Sequence, residues 1–178
     1  ENNARGASAY HGVGGPMSVT TPRSRDSLCS AFVAAAGELG FSGAECDFNG
    51  EQQEGVAGFY QKTIKSGRRH SAAAAFLTPH LSRANLKVQT RAPATRLTIE
   101  GKRVVGVEYQ KDGEIRQARA RRAVIVSSGA VESPKLLLLS GLGPAEQLRA
   151  HGVNVVADLP GVGQNLQDHL MLPIAYAV

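Results

Sequence analysis

The stretch Ser127-Ser128-Gly129-Ala130-Val131-Glu132-Ser133-Pro134-Lys135-Leu136-Leu137-Leu138-Leu139-Ser140-Gly141-Leu142-Gly143 decides the fold, because it packs a turn, a helix start and a helix stop into one run. The apolar residues Ala123 to Val126 just before it read as a buried strand. Gly129 permits a close backbone turn, and Ser133-Pro134 reads as an N-cap followed by proline at the first helical position. The spacing predicts a helix from about Ser133 to Leu139, ended by Gly141. Gly143-Pro144 starts a second short helix that stops at Gly152.

Immediately upstream the pattern is one of strands. Leu86 and Val88 begin a buried strand, Leu97 and Ile99 continue the alternation, and Val105, Val107 and Tyr109 form the next face. Asp112-Gly113 is a two-residue hairpin signal, so the segment reads as a β-meander. Further upstream, Ser24 or Asp26 caps a helix whose apolar positions Leu28, Phe32, Ala35 and Leu39 recur at helical spacing before Gly40 closes it. Asp47-Phe48-Asn49-Gly50 is a turn, the following Val56, Phe59, Tyr60 and Ile64 are strand-like, and Ser71 caps a short Ala-rich helix limited by Pro79.

Composition narrows the function classes. The 178 residues carry a net charge of +5 and contain no Trp, so the core must come from Leu, Val, Ala and Ile. The basic stretch Arg116 to Arg122 alternates with Ile115 and Ala118 without interleaved aromatics; it reads as a solvated strand face rather than a nucleic-acid surface. Cys29 and Cys46 have no CxxC spacing and no histidine pair beside them, which predicts free buried thiols and no metal site. No apolar run approaches the roughly 20 residues of a membrane span.

Several blocks then point the same way. Ser127 to Gly143 and Asp158 to His169 (Asp-Leu-Pro-Gly-Val-Gly-Gln-Asn-Leu-Gln-Asp-His) are joined upstream by Tyr10 to Met17, Asp47 to Gln61, Ser71 to Leu77 and Asn85 to Thr90, all in one order. Together they resemble the glucose-methanol-choline (GMC) oxidoreductase family, FAD-dependent enzymes that include choline dehydrogenase-like alcohol dehydrogenases. The resemblance implies an α/β (mixed α+β) fold: part of a two-dinucleotide-binding FAD domain with a β-meander, plus part of the substrate-binding domain. Residues 1–77 fall on the substrate side and its connections, 78–167 on the FAD side, and 168–178 return to the substrate side. The family's GxGxxG turn and its catalytic histidine match nothing in this sequence, which reads as an internal portion of the enzyme, inactive alone. The alternative is a non-catalytic split-gene or interaction module that assembles with complementary chains. The resemblance places the enzyme in the cytoplasm or at the inner membrane's periphery.

The resemblance also nominates residues. Val88 matches the position whose main chain pairs with the adenine edge of FAD, against the alternative of an ordinary buried strand valine. Gly129 and Ala130 match the turn that brings backbone close to the adenosine half of FAD, against a turn kept small for packing. Phe59 and Tyr60 face a small-molecule alcohol substrate in this reading, or pack in a core in the other. None of His11, His70, His80, His151 and His169 matches the catalytic histidine, so no catalytic residue is assigned. Sheet edges near Val88 and Val124 invite pairing with another copy.

Overall fold

Asp112 and Gly113 both take positive φ, 52° and 84°, the backbone of a type I′ turn whose twist matches that of the strands it joins. That turn sets the register of the central sheet. The computed structural model describes residues 1–41, 43 and 45–173 of the chain. In it β5 (Ala94–Glu100), β6 (Arg103–Lys111) and β7 (Glu114–Arg119) form the antiparallel meander, with Lys111 opposite Glu114 and Leu97 opposite Val107. Leu97 is buried, whereas every residue of β7 is exposed: the basic face is solvated as the sequence predicts, and Ile115 and Ala118, which alternate with it, are exposed as well.

The chain divides into two compact units, Glu1–Val88 and Gln89–Val178. The second holds the meander, α2 (Gly129–Leu139), α3 (Ala145–Ala150) and the short parallel pair β8 (Leu142–Gly143) with β9 (Ala157–Asp158). Leu136 of α2 and Leu97 of β5 are buried together with Leu148 of α3 as the apolar core of this unit. α2 ends at Leu139, ahead of Gly141, and α3 ends before Gly152, both as the sequence predicts; Ser140 is the C-cap of α2.

Two expectations of this unit are corrected. Residues 123–126 form no strand: a strand needs a neighbour on its hydrogen-bonding edge, and none pairs with them among the described residues. The alternation survives, with Val124 and Val126 half-buried and Ile125 87% exposed. The helix also starts at Gly129, four residues ahead of Ser133. Gly129 at φ +91° turns the chain directly into the helix, and Pro134, whose ring already holds a helical φ, is accommodated inside it. Ser133 therefore does not occupy the cap. Its Oγ instead accepts the Ser128 amide at 2.9 Å, reaching back from the second turn.

In the first unit, β1 (Asn2–Asn3) pairs in parallel with β2 (Ser18–Val19), and β3 (Ile64–Lys65) with β4 (Arg68–Arg69) makes a small hairpin joined to Thr20 through Lys62. α1 (Ser27–Glu38) is capped by Asp26, whose carboxylate accepts the Leu28 amide at 2.8 Å. The apolar stripe of α1 is corrected in one respect: Val33 is buried, but Leu28, Phe32 and Leu39 are exposed. Cys29, on the same helix, is exposed, and Cys46 is half-buried, so the free thiols are not both core residues. The Ala-rich segment is a wide π-type turn, Ala73–Leu77, running into a tight turn at Thr78–His80, with Ser71 Oγ accepting the Ala74 amide at 3.2 Å. No strand forms at Leu86 and Val88, and Val88 is 44% exposed. The expected return at Leu170 to Val178 lies, from residue 174 onward, outside the described residues.

Candidate functional site

The N-terminal turn of α2 is shaped by backbone rather than by charged side chains. Gly129 adopts a φ that L-residues rarely take, and nothing lies within 4 Å of where a Cβ would project. The glycine is required by the turn, and the space beside it is open. Ala130, next in line, is exposed and lines a cleft of about 490 Å³ between α2 and the loop Gly161–Leu166, with Pro134 and Leu137 as its apolar wall. On the opposite flank, Ser128, Glu132 and Leu136 border a second hollow of about 440 Å³ against Pro93–Thr95. Lys135 lies at both and is held by Glu132 at 3.0 Å. Val88 closes the first unit and lies on its surface, with an unladdered main chain.

The other nominated pair lies in the first unit. Tyr60 is 69% exposed and stacks obliquely on Phe48, ring centroids 4.7 Å apart, while Phe59 is half-buried beneath the Arg25 guanidinium, 4.9 Å from its ring. Arg25 is tethered in turn to Glu45 at 3.3 Å. The pair is thus neither a closed core nor a free surface: one aromatic face of Tyr60 is available.

Sequence reasoning missed the polar cluster behind this wall. The His11 side chain is only 4% exposed and lies between Glu1 Oε1 at 3.1 Å and Asp47 Oδ2 at 2.6 Å. Asn3 and Gln61 exchange two amide hydrogen bonds, 3.2 and 3.0 Å, and Arg5 donates to the carbonyls of Glu45 and Cys46. The Asp47 hydrogen bond raises the His11 pKa above 6.5 against the opposing effect of burial, with Glu1 adding to the rise. Burial works to raise the Asp47 carboxyl, but hydrogen bonds from His11 and the Asn49 amide bring it below 3.8. The Gly12 amide, aided by His11, lowers Glu1 below 4.5. These partners lie 8 to 58 residues apart, beyond the reach of any helix or turn pattern, so no local signal announces them. Of the remaining histidines, His70 is buried and accepts the Ser18 amide at 3.1 Å, and His80, His151 and His169 are exposed.

Comparison with known proteins gives the family. The GMC oxidoreductase family profile matches residues 2–171. The chain belongs to the GMC oxidoreductase family. Among curated relatives, the GMC chain is 49% identical over 170 residues to the oxygen-dependent choline dehydrogenase of Brucella anthropi, covering 96% of this chain and 30% of that protein. Among solved structures it superposes on pyridoxine 4-oxidase from Mesorbium loti with TM-score 0.80 and 32% identity, covering 89% of this chain and 31% of that one. It also superposes on an FAD-dependent oxidoreductase from Chaetomium thermophilum with TM-score 0.80 and 28% identity, covering 88% and 27%. The chain thus spans about 30% of the length of the curated relative it matches. The mixed α/β architecture and the family are those the sequence motifs imply.

Proposed function

We propose that this chain is an internal portion of an FAD-dependent oxidoreductase that oxidises a primary alcohol, choline or a related small alcohol. The single observation that carries the reading is the 49% identity to a choline dehydrogenase across 96% of the chain. FAD, when bound, supplies the hydride acceptor. In the second unit the turn at Gly129 fits its adenosine half: open space stands beside Gly129, and Ala130 is exposed at the same turn. Gly129 and Ala130 would let the adenosine approach the backbone; Val88, in the first unit, is given the adenine edge by the family resemblance alone. Phe59 and Tyr60 would stand on the alcohol side, where an aromatic face favours a quaternary ammonium.

No residue here is given the role of base. In this reading the chain holds and orients the cofactor and substrate, and the proton is taken by a histidine supplied elsewhere in the enzyme. Purified chain supplied with FAD is expected to retain no stoichiometric flavin and to turn over neither choline nor simple primary alcohols. A yellow preparation with one flavin per chain, or turnover lost on substituting one of the five histidines, would contradict this.

A further inference from the structure

His11 Nδ1 has two partners at the same distance and of opposite kind. Glu1 Oε1 lies 3.1 Å away and can only accept a hydrogen bond, whereas Asn3 Nδ2, also 3.1 Å away, can only donate one. Nδ1 can satisfy one of them at a time. The orientation of Asn3 is fixed independently: its Oδ1 accepts the Arg5 amide at 2.9 Å and Gln61 Nε2 at 3.0 Å, and its Nδ2 also donates to Gln61 Oε1 at 3.2 Å. The other ring nitrogen has no such choice. Nε2 faces Asp47 Oδ2 at 2.6 Å, an acceptor, and therefore carries a proton in both states of the ring.

We propose that His11 is a positioning residue whose Nδ1 proton selects between Glu1 and Asn3 and so sets how firmly the Asn3–Gln61 clamp holds the segment bearing Phe59 and Tyr60. With Nδ1 protonated, the imidazolium bridges Glu1 and Asp47, and the second N–H of Asn3 Nδ2 has no acceptor on the ring. With Nδ1 bare, Asn3 donates to it, the amide is held by Gln61 and His11 together, and Glu1 keeps the Gly12 amide, 3.1 Å from Oε1. Gln61 is the residue directly after Tyr60, and Asp47 directly precedes Phe48, the ring on which Tyr60 stacks. Both ends of the switch therefore reach the same aromatic wall.

The charged groups facing the ring are the Glu1 and Asp47 carboxylates, with Arg5, held on the Glu45 and Cys46 carbonyls, as the cation acting on Asp47. The Asp47 hydrogen bond, with Glu1 adding to it, raises the His11 pKa above its ordinary value, so Nδ1 keeps its proton to higher pH than in a free imidazole. The consequence for substrate rests on the reading of Phe59 and Tyr60 given above; the proton switch itself does not.

The test uses the purified chain with nitrogen-15 in its histidine rings. On raising pH, Nδ1 of His11 is expected to lose its proton while Nε2 keeps it; a neutral ring protonated at Nδ1 overturns the proposal. This measurement needs no variant. Glu1→Gln is expected to lower the midpoint, since the acceptor's charge is removed, and Asn3→Ala to raise it, since the donor favouring the bare nitrogen is removed; shifts of the reverse sign also overturn it. The chain has no Trp, so Tyr60→Trp introduces a single indole whose emission is expected to step with the His11 midpoint, and to lose that step in combination with Glu1→Gln. A flat emission across the titration refutes the positioning role. In the full-length enzyme, KM for the alcohol should follow the same midpoint. A pH-independent KM alongside a stepping indole would instead refute only the placement of Tyr60 on the substrate side.

Discussion

Ser140 Oγ accepts the Leu97 amide at 2.8 Å and donates to the Leu136 carbonyl at 2.6 Å, so one buried hydroxyl fastens the last turn of α2 to the first strand of the meander. Ser140 is 2% exposed, which leaves water no route to replace either bond. Ser140→Ala is expected to lower unfolding stability by about 1–3 kcal/mol, the cost of stranding the Leu97 N–H in the core. Urea denaturation of the chain measures it, and a loss well below that range would mean that the meander and α2 part locally.

Ser133 offers the contrasting case. Its Oγ also accepts an amide, that of Ser128, but in an exposed setting where water substitutes readily. Ser133→Ala is expected to cost about 0.5–1 kcal/mol, clearly less than Ser140→Ala in the same urea titration.

Gly129→Ala should destabilise by about 1–2 kcal/mol through the positive φ alone, because no atom stands where the new Cβ would project. Gly129→Val should add a loss of FAD affinity in the full-length enzyme, since the branched side chain fills the space proposed for the adenosine. Thermal melting and flavin titration separate the two effects. Unchanged FAD affinity with lowered stability would make Gly129 a turn residue only.

The same glycine shows how far the sequence could be read. Asp112-Gly113 and the alternation around Leu97 specified the meander, because hairpin turn chemistry is local and the register follows from it. Asp26 and Gly40 likewise bounded α1. Ser133-Pro134 misled for a physical reason: a serine before a proline is an N-cap pattern, but a positive-φ glycine upstream opens the helix sooner and leaves Pro134 in the second turn, where it donates no bond to the Ala130 carbonyl. Residues 123–126 and Leu86 to Val88 have strand composition, yet strand formation depends on a neighbour that composition does not supply. The His11 cluster was illegible because Glu1, Asn3, Asp47 and Gln61 meet only in the folded chain.

Stability should depend on pH in a way that His11 dominates on the alkaline side. A raised His11 pKa means that its proton contributes fully below 6.5, and that the contribution is lost as pH climbs through the higher folded value. The lowered Asp47 and Glu1 pKa values contribute above 3.8 and 4.5, and those contributions are lost as pH falls through the lower folded values. Stability from this cluster is therefore greatest between 4.5 and 6.5. Asp47→Asn should flatten the alkaline decline, as read by melting temperature against pH; an unaltered decline would place its origin outside the cluster.

The central claim, that this chain belongs to an FAD-dependent enzyme that takes hydride from a primary alcohol, is tested most directly by mixing the full-length protein, loaded with FAD, anaerobically with choline and with simple primary alcohols while following the flavin absorbance. Bleaching of the oxidised flavin by at least one of these alcohols, saturating with alcohol concentration, is the predicted result. A flavin that dithionite reduces but none of the alcohols bleaches would contradict the account.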